Sequence, residues 1–428
     1  MRPPSRAPAL GGRGGDMRPR LVYLGLAVVV ASGIIFAHRV DAFTNPQFYA
    51  EDGAKWFSDA YTVGAIRALG LSWAGYLQLV SRIGPLVATP FGIAGQPLVY
   101  NICGLAVQIA PVIFFLSTRF DAVVPSVTAR VALSAAYLLL PVEELNVNIT
   151  GAPYHLIILA TLVLVAADPR RWYWKAFDLG AVLLCGLSGP FVYLLLPVAL
   201  LWYVVRRRRF TLIISAVLAL TLLAQLYARQ FSPRLAVELG ANVKDFVLIV
   251  CDRIVLAGLF AEPARRHLYV AGHPWGPLVA GIVCGMAILV VGYAAWKAPW
   301  ELRVFALVAF GIVAAALVSP LASQRETGWQ ALATSGSGAR YFLMACVALL
   351  AILVWLASTL PRVWMTRAVW AGGALAFMSG IPTWGYAPFI DDHWPQEART
   401  IMTAAPGTRL VLPIPPAGGG WYIDIRTR

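Results

Sequence analysis

Apolar residues in this chain come in long uncharged runs broken by short polar or basic segments, as in Val131–Pro141, Thr211–Tyr227, Pro277–Trp296 and Tyr341–Ser358. A helix needs about 20 apolar residues, at roughly 1.5 Å rise each, to cross a bilayer. The pattern predicts spans at 21–37, 96–117, 128–141, 154–167, 176–188, 190–205, 211–229, 277–296, 303–321, 341–358 and 367–385. Residues 176–205 are the awkward case, because both flanks are basic. The Ser188-Gly189-Pro190 break resolves it as a tight helical hairpin, since proline ends a helix. The expected fold is an all-α integral membrane protein of about eleven transmembrane helices, N-terminus cytoplasmic and C-terminus outside.

Composition agrees with the pattern. Charged residues make up 13% of the chain, against about 25% in an ordinary soluble domain. The net charge of +14 raises nucleic acid as a partner, but the basic residues bracket the apolar runs, as Arg206–Arg209 does. That distribution is the positive-inside signal and fits contact with anionic membrane lipids, with no nucleic acid. Residues 1–20 read as a disordered, basic cytoplasmic leader. The first apolar run is long for a signal peptide and lacks a convincing cleavage site, so it reads as a retained span. Within the membrane domain, 21–385, the outer loops are 38–95, 230–276 and 322–340. Residues 386–428 form a small extracytoplasmic tail, too small for its own core and so expected to dock on the membrane domain. The five cysteines have no metal or disulfide spacing and read as packing residues. No internal repeat or inverted pair of halves is visible.

The predicted spans are almost free of charge, and polar chemistry gathers at their outer ends. Glu51-Asp52-Gly53 follows the first span. Two solvated loop acids is the bland reading; the functional one is a general base, because adjacent like charges at a membrane face raise one pKa. Gly53 would allow a tight turn or the approach of a substrate. Glu144, Asn148 and His155 lie in a second outer segment rich in acceptors and amides, where His155 is either a packing residue or a phosphate or proton partner. Arg325, Arg340 and Tyr341 lie in a third, where an arginine is either a snorkelling anchor or half of a phosphate clamp. No nucleotide, zinc-protease or serine-hydrolase motif accompanies them.

Five pieces, in order, resemble a largely uncharacterised bacterial group related to the GT-C glycosyltransferases. They are Tyr49-Ala50-Glu51-Asp52-Gly53 with Gly75–Arg82, Asn148-Ile149-Thr150 with Tyr154-His155, Leu187–Pro190, Gly338–Phe342, and Ile414-Pro415-Pro416 with Trp421. Ser81 stands where the group commonly has proline, and the tail ends without a large outer domain. The resemblance implies a multi-pass protein of the bacterial inner membrane that transfers a sugar from a polyprenyl-phosphate donor to a glycan, lipid or protein acceptor. It implies Asp52 as base, with Glu51 beside it for orientation or contact to a divalent metal ion. Arg340, Arg325 and His155 would meet the donor phosphate, and Tyr76, Arg82, Glu144, Asn148 and Tyr341 would line the substrate cavity. A lipid-linked saccharide flippase and a non-catalytic envelope-assembly protein are the competing expectations.

Overall fold

The computed structural model describes residues 17–233, 237–260, 276–321, 326–334, 338–378, 384–416 and 420–428. Most of the leader and Arg325 lie outside them. The described residues are 72% helical. Each predicted apolar segment falls on a helix: α1 (Met17–His38), α4 (Gly92–Phe115), α5 (Val127–Leu139), α6 (Ala152–Val165), α7 (Trp172–Gly186), α8 (Val192–Arg206), α9 (Arg209–Ala228), α10 (Gly276–Lys297), α11 (Trp300–Val318), α12 (Leu343–Thr359) and α13 (Val363–Met378). Among the shorter helices are α2 (Ser58–Val63), α3 (Leu79–Ala88) and α14 (Trp394–Thr403). Among the described residues six helical stretches are long and apolar enough to cross a membrane, which fits an all-α membrane protein. Helices α5 to α8 and α13, of 13 to 16 residues, fall short of that length.

The first loop is less of a loop than expected. Helices α3 and α4 follow one another through a single 3-10 turn, Thr89–Phe91, so the apolar stretch runs from Leu79 to Phe115. Pro90 and Gly92, whose φ is +68°, mark the bend and hide that continuity in the sequence. Two small antiparallel ladders add strand structure: β1 (Ser72–Trp73) with β2 (Tyr76–Leu77), and β3 (Arg409–Pro413) with β4 (Tyr422–Arg426) in the tail.

Charge is also less absent from the helices than the apolar pattern implies. Arg119 donates to both carboxylate oxygens of the buried Asp178 on α7, at 3.1 and 2.8 Å, and Arg130 on α5 donates to Asp121 at 2.9 Å. These partners are distant in sequence or sit at helix ends, so hydropathy alone does not reveal them.

Helix α6 is the centre of the fold. Every residue but Tyr154 is buried, as expected of a helix apolar on all sides. Its start is built by the preceding loop: the Asn148 side chain accepts from the Gly151 amide at 2.6 Å, and Pro153 supplies a preset helical φ in the first turn. Asn148-Ile149-Thr150 fits the N-x-S/T glycosylation sequon, but Asn148 is buried and offers no accessible target in the fold. Helix α4 crosses this loop at Gly104, where a β-carbon would lie 2.8–2.9 Å from the Asn148 backbone. Gly104→Ala must therefore displace the loop; overpacking of this kind costs about 1–3 kcal/mol. The expected outcome is a lower melting temperature in detergent micelles, with Gly25→Ala, whose β-carbon meets nothing within 4 Å, as the neutral control.

Candidate functional site

Asp52 opens a π-helical turn, Asp52–Phe57, that runs into α2. Such turns recur at functional positions because one extra residue per turn re-aims a side chain. Ala50, just before it, has a φ of +47°, an uncommon conformation for a residue with a β-carbon. Its amide donates to the Pro415 carbonyl at 2.7 Å, so the tail holds the strained residue in place. The tail also seals the next position: a β-carbon on Gly53 would lie 2.7 Å from Ile414 and 2.9 Å from the Phe48 β-carbon. Gly53 thus admits the tail, where the sequence suggested a turn or a substrate.

Asp52 is 1% exposed. Its Oδ1 accepts from the Thr150 amide at 2.9 Å and the Thr150 hydroxyl at 2.7 Å, and the Trp56 indole donates to that hydroxyl at 2.9 Å. Its Oδ2 is buried with no hydrogen-bond partner. Burial pushes the carboxyl up to about 7 against the pull of the Thr150 hydrogen bonds, and the neighbouring Glu51 charge adds to the rise. Glu51 is itself raised by burial, offset by Arg340.

Around Glu51 lies a charged cluster. Arg340 is paired with Glu144 through its guanidinium, its amide donates to the same carboxylate at 3.3 Å, and it also donates to the Leu321 carbonyl. Arg39, 2% exposed, is paired with Glu143 and lies 3.8 Å over the Phe389 ring. The sequence reading missed Arg39. Its signal was a cation at the outer end of the first span, against the positive-inside trend. A shallow cleft is walled by Leu140, Pro141, Phe342, Leu343 and Cys346 and reaches Ala339, next to Arg340; among the described residues Arg253 is the cation lining it.

The remaining predicted residues divide. His155 is buried, with Nδ1 at 2.7 Å from the Tyr137 hydroxyl and Nε2 at 3.1 Å from the Leu145 carbonyl. Both ring nitrogens are thus engaged by protein. Arg82 is 1% exposed and donates to Asp59 at 2.9 Å. Tyr76 lies in β2, and Tyr341 donates to Leu321 at 3.3 Å and meets Tyr154 edge to face. Among the described residues no group of three or more His, Cys, Asp and Glu side chains is arranged to hold a metal ion, and all five cysteines are free.

The separated sequence pieces meet in space. Val80 donates to the Ser188 hydroxyl at 2.9 Å, Gly189 to the Leu77 carbonyl at 2.9 Å, and Ser81 to the Ile149 carbonyl at 3.0 Å. Thr150 meets Asp52, Arg340 meets Glu144, and Pro415 meets Ala50. Fold and site together define a helical membrane protein with a buried acid where its loops and tail converge. No family model, curated protein or solved structure matches the chain.

A buried acid raised to about 7 has a definite stability signature. The folded state holds the proton between about pH 4 and pH 7 while the unfolded chain has lost it, so stability falls as pH rises through that window. Melting temperature should therefore drop from pH 5 to pH 8, with Glu51 contributing in the same direction. Asp52→Asn, which keeps an acceptor for Thr150 and mimics the neutral acid, should flatten the slope and raise the melting temperature at pH 8.

Proposed function

We propose that this chain is a glycosyltransferase that moves a sugar from a polyprenyl-phosphate donor to an acceptor hydroxyl on the outer face of the bacterial inner membrane. The proposed topology has eleven spans, with the N-terminus inside and the C-terminus outside; of the short helices, α6 then crosses inside the protein, while α5, α7 and α8 keep exposed apolar residues that would face lipid. The observation that carries the reading is Asp52: a buried carboxyl, held by one oxygen, unbonded at the other, and poised near neutral pH. A general base works best with a pKa near the operating pH.

In this mechanism Asp52 Oδ2 takes the proton of the acceptor hydroxyl, whose oxygen bonds to the anomeric carbon as the carbon–phosphate oxygen bond breaks. The leaving polyprenyl phosphate carries the negative charge. Arg340 and Arg253 are the cations suited to meet it, because the largely apolar cleft lined by Arg253 and by Ala339, next to Arg340 in sequence, suits a prenyl chain with an anionic head. The phosphate then competes with Glu144 for Arg340. His155 drops out of this assignment, since both of its nitrogens are already bonded inside the protein.

One observation favours a non-catalytic envelope-assembly role: Asp52 is almost fully buried and ties the first loop to Thr150. A single assay separates the two readings. Purified protein in liposomes is given a panel of polyprenyl-phosphate hexoses and pentoses with a membrane extract as acceptor, and release of polyprenyl phosphate is measured. Release should fall about 10²- to 10⁴-fold in Asp52→Asn at unchanged folding, the usual contribution of a general base. Equal release from variant and wild type would sink the catalytic assignment. In the wild type the rate should rise between pH 6 and pH 8 with a midpoint near 7, because the base acts in its ionised form.

A further inference from the structure

The tail changes character at Trp394. From there onward it is anchored by apolar burial, with Trp394, Ala398 and Ile401 of α14 and Ile423 and Ile425 of β4 all buried. Residues 384–392 form no helix or strand, and none of them is buried. This stretch lies as a strap across the C-terminal end of α1 and the residues after it, held by polar contacts. His38 Nδ1 lies 2.7 Å from the Trp384 carbonyl, and the Tyr386 amide donates to the His38 carbonyl at 2.7 Å. The Phe389 amide donates to Asp41 Oδ2 at 3.0 Å and the Asp392 amide to Gln47 Oε1 at 2.7 Å, while Gln47 donates to the Ile390 carbonyl at 3.2 Å. Two rings of the strap roof Arg39. Its guanidinium lies 3.8 Å from the centre of the Phe389 ring and 5.5 Å from that of Tyr386.

Under this roof Arg39 is 2% exposed, yet its bonding is incomplete. Nε and Nη2 share one edge of a guanidinium, where two parallel N–H groups suit an oxyanion. Glu143 takes Nη2, and Nε is buried without a hydrogen-bond partner, which is rare for a buried polar atom. Glu143 itself is 56% exposed, so water receives it when it lets go. Its neighbour Glu144 holds Arg340 from the same 3-10 turn, Glu143–Leu145, so one short segment carries the counter-ions of both arginines. We infer that Arg39 is an anion-binding residue for a phosphate group, and that the strap 384–392 is the lid that uncovers it. The phosphate takes Nε–H and Nη2–H together in place of Glu143, and the Phe389 ring gives up its position over the guanidinium. The strap moves without the rest of the tail, because it has no buried residue to expose, whereas α14 and β4 do.

That the phosphate belongs to a sugar donor rests on the glycosyltransferase reading; the strap and the cation beneath it do not. Binding of farnesyl phosphate and of inorganic phosphate to the purified protein in detergent micelles is measured by calorimetry, and amide hydrogen exchange across 384–392 is followed with each. Farnesyl phosphate should bind and should speed exchange about 10-fold at Tyr386, Phe389 and Asp392, whose amides hold the strap. Phe389→Ala loosens the strap, so affinity should rise about 3- to 10-fold, because a site that is mostly covered binds in proportion to the fraction uncovered. Arg39→Gln should weaken binding about 10-fold or more, the loss expected for a charge-assisted pair of hydrogen bonds. An equal response to inorganic phosphate assigns the site to free phosphate, and a response to the farnesyl compound alone assigns it to a lipid head group. Either supports the site, and a response to neither overturns it. Unchanged or weaker binding in Phe389→Ala, or unchanged exchange in the strap, overturns the lid. Wild-type affinity in folded Arg39→Gln overturns the role of Arg39. Should that variant not fold, Arg39→Lys, which keeps the charge and loses the paired N–H edge, is read in the same way. These responses in a protein that transfers no sugar would overturn the glycosyltransferase reading and leave the site standing.

Discussion

The region around the first loop is organised by one hydrogen-bonded joint, in which a single oxygen of Asp52 accepts both the amide and the hydroxyl of Thr150. A carboxylate removed from water is costly unless its hydrogen bonds are replaced. Here two donors from one residue replace them, which fixes the loop before α6 against the turn after α1. Three other features follow from that joint. Gly104 is bare because α4 crosses the Asn148 backbone, two residues before Thr150. Trp56 is buried with its indole turned to the Thr150 hydroxyl. The tail closes the remaining side, with Ile414 and Ile423 against Gly53 and Pro415 bonded to Ala50.

A second layer of charge surrounds the joint without neutralising it. Arg340 and Arg39 are bonded to Glu144 and Glu143, so each cation arrives with its own counter-ion. Arg340 still pulls on Glu51, yet burial outweighs it and Glu51 remains raised. The cluster is therefore close to balanced. An incoming anion must exchange with a glutamate, which makes binding there selective for groups that hold arginine better than a carboxylate does, such as a phosphate with its extra acceptor oxygens.

Much of the helical layout was legible because apolar runs are a local signal. Each predicted segment falls on a helix over its described residues, and the break at Ser188-Gly189-Pro190 separates α7 from α8, with Gly189 at a φ of +101°. Legibility ended where information was non-local. The continuity of α3 with α4 was hidden by Pro90 and Gly92, residues that usually end helices but here sit at a bend. The buried pair of Arg119 with Asp178 joins residues 59 positions apart, and no hydropathy window reports it. Asp52 was legible from its place after the first span, whereas its partner Thr150 lies 98 residues away and was visible only as part of a short motif. Gly53 was read as a place for a tight turn or a substrate, and what approaches it is the tail.

The molecule contains its own control for the meaning of Asp52. Asp178 is also buried, at 0% exposure, and both of its oxygens are taken by one arginine. That is how a fold retains an acid for structure: a bidentate cation cancels the charge and saturates the acceptors. Asp52 has no bonded cation, keeps one oxygen unbonded, and is pushed up to about 7 by burial. As a structural joint it is a poor choice, because asparagine would accept the same two Thr150 hydrogen bonds without the cost of ionisation near neutral pH. A carboxylate there is useful for what asparagine lacks, the ability to take up and release a proton. Stability lost to an ionisable buried group is a common exchange for function. The contrast between these two acids is the physical ground on which a chemical role for Asp52 stands apart from any resemblance.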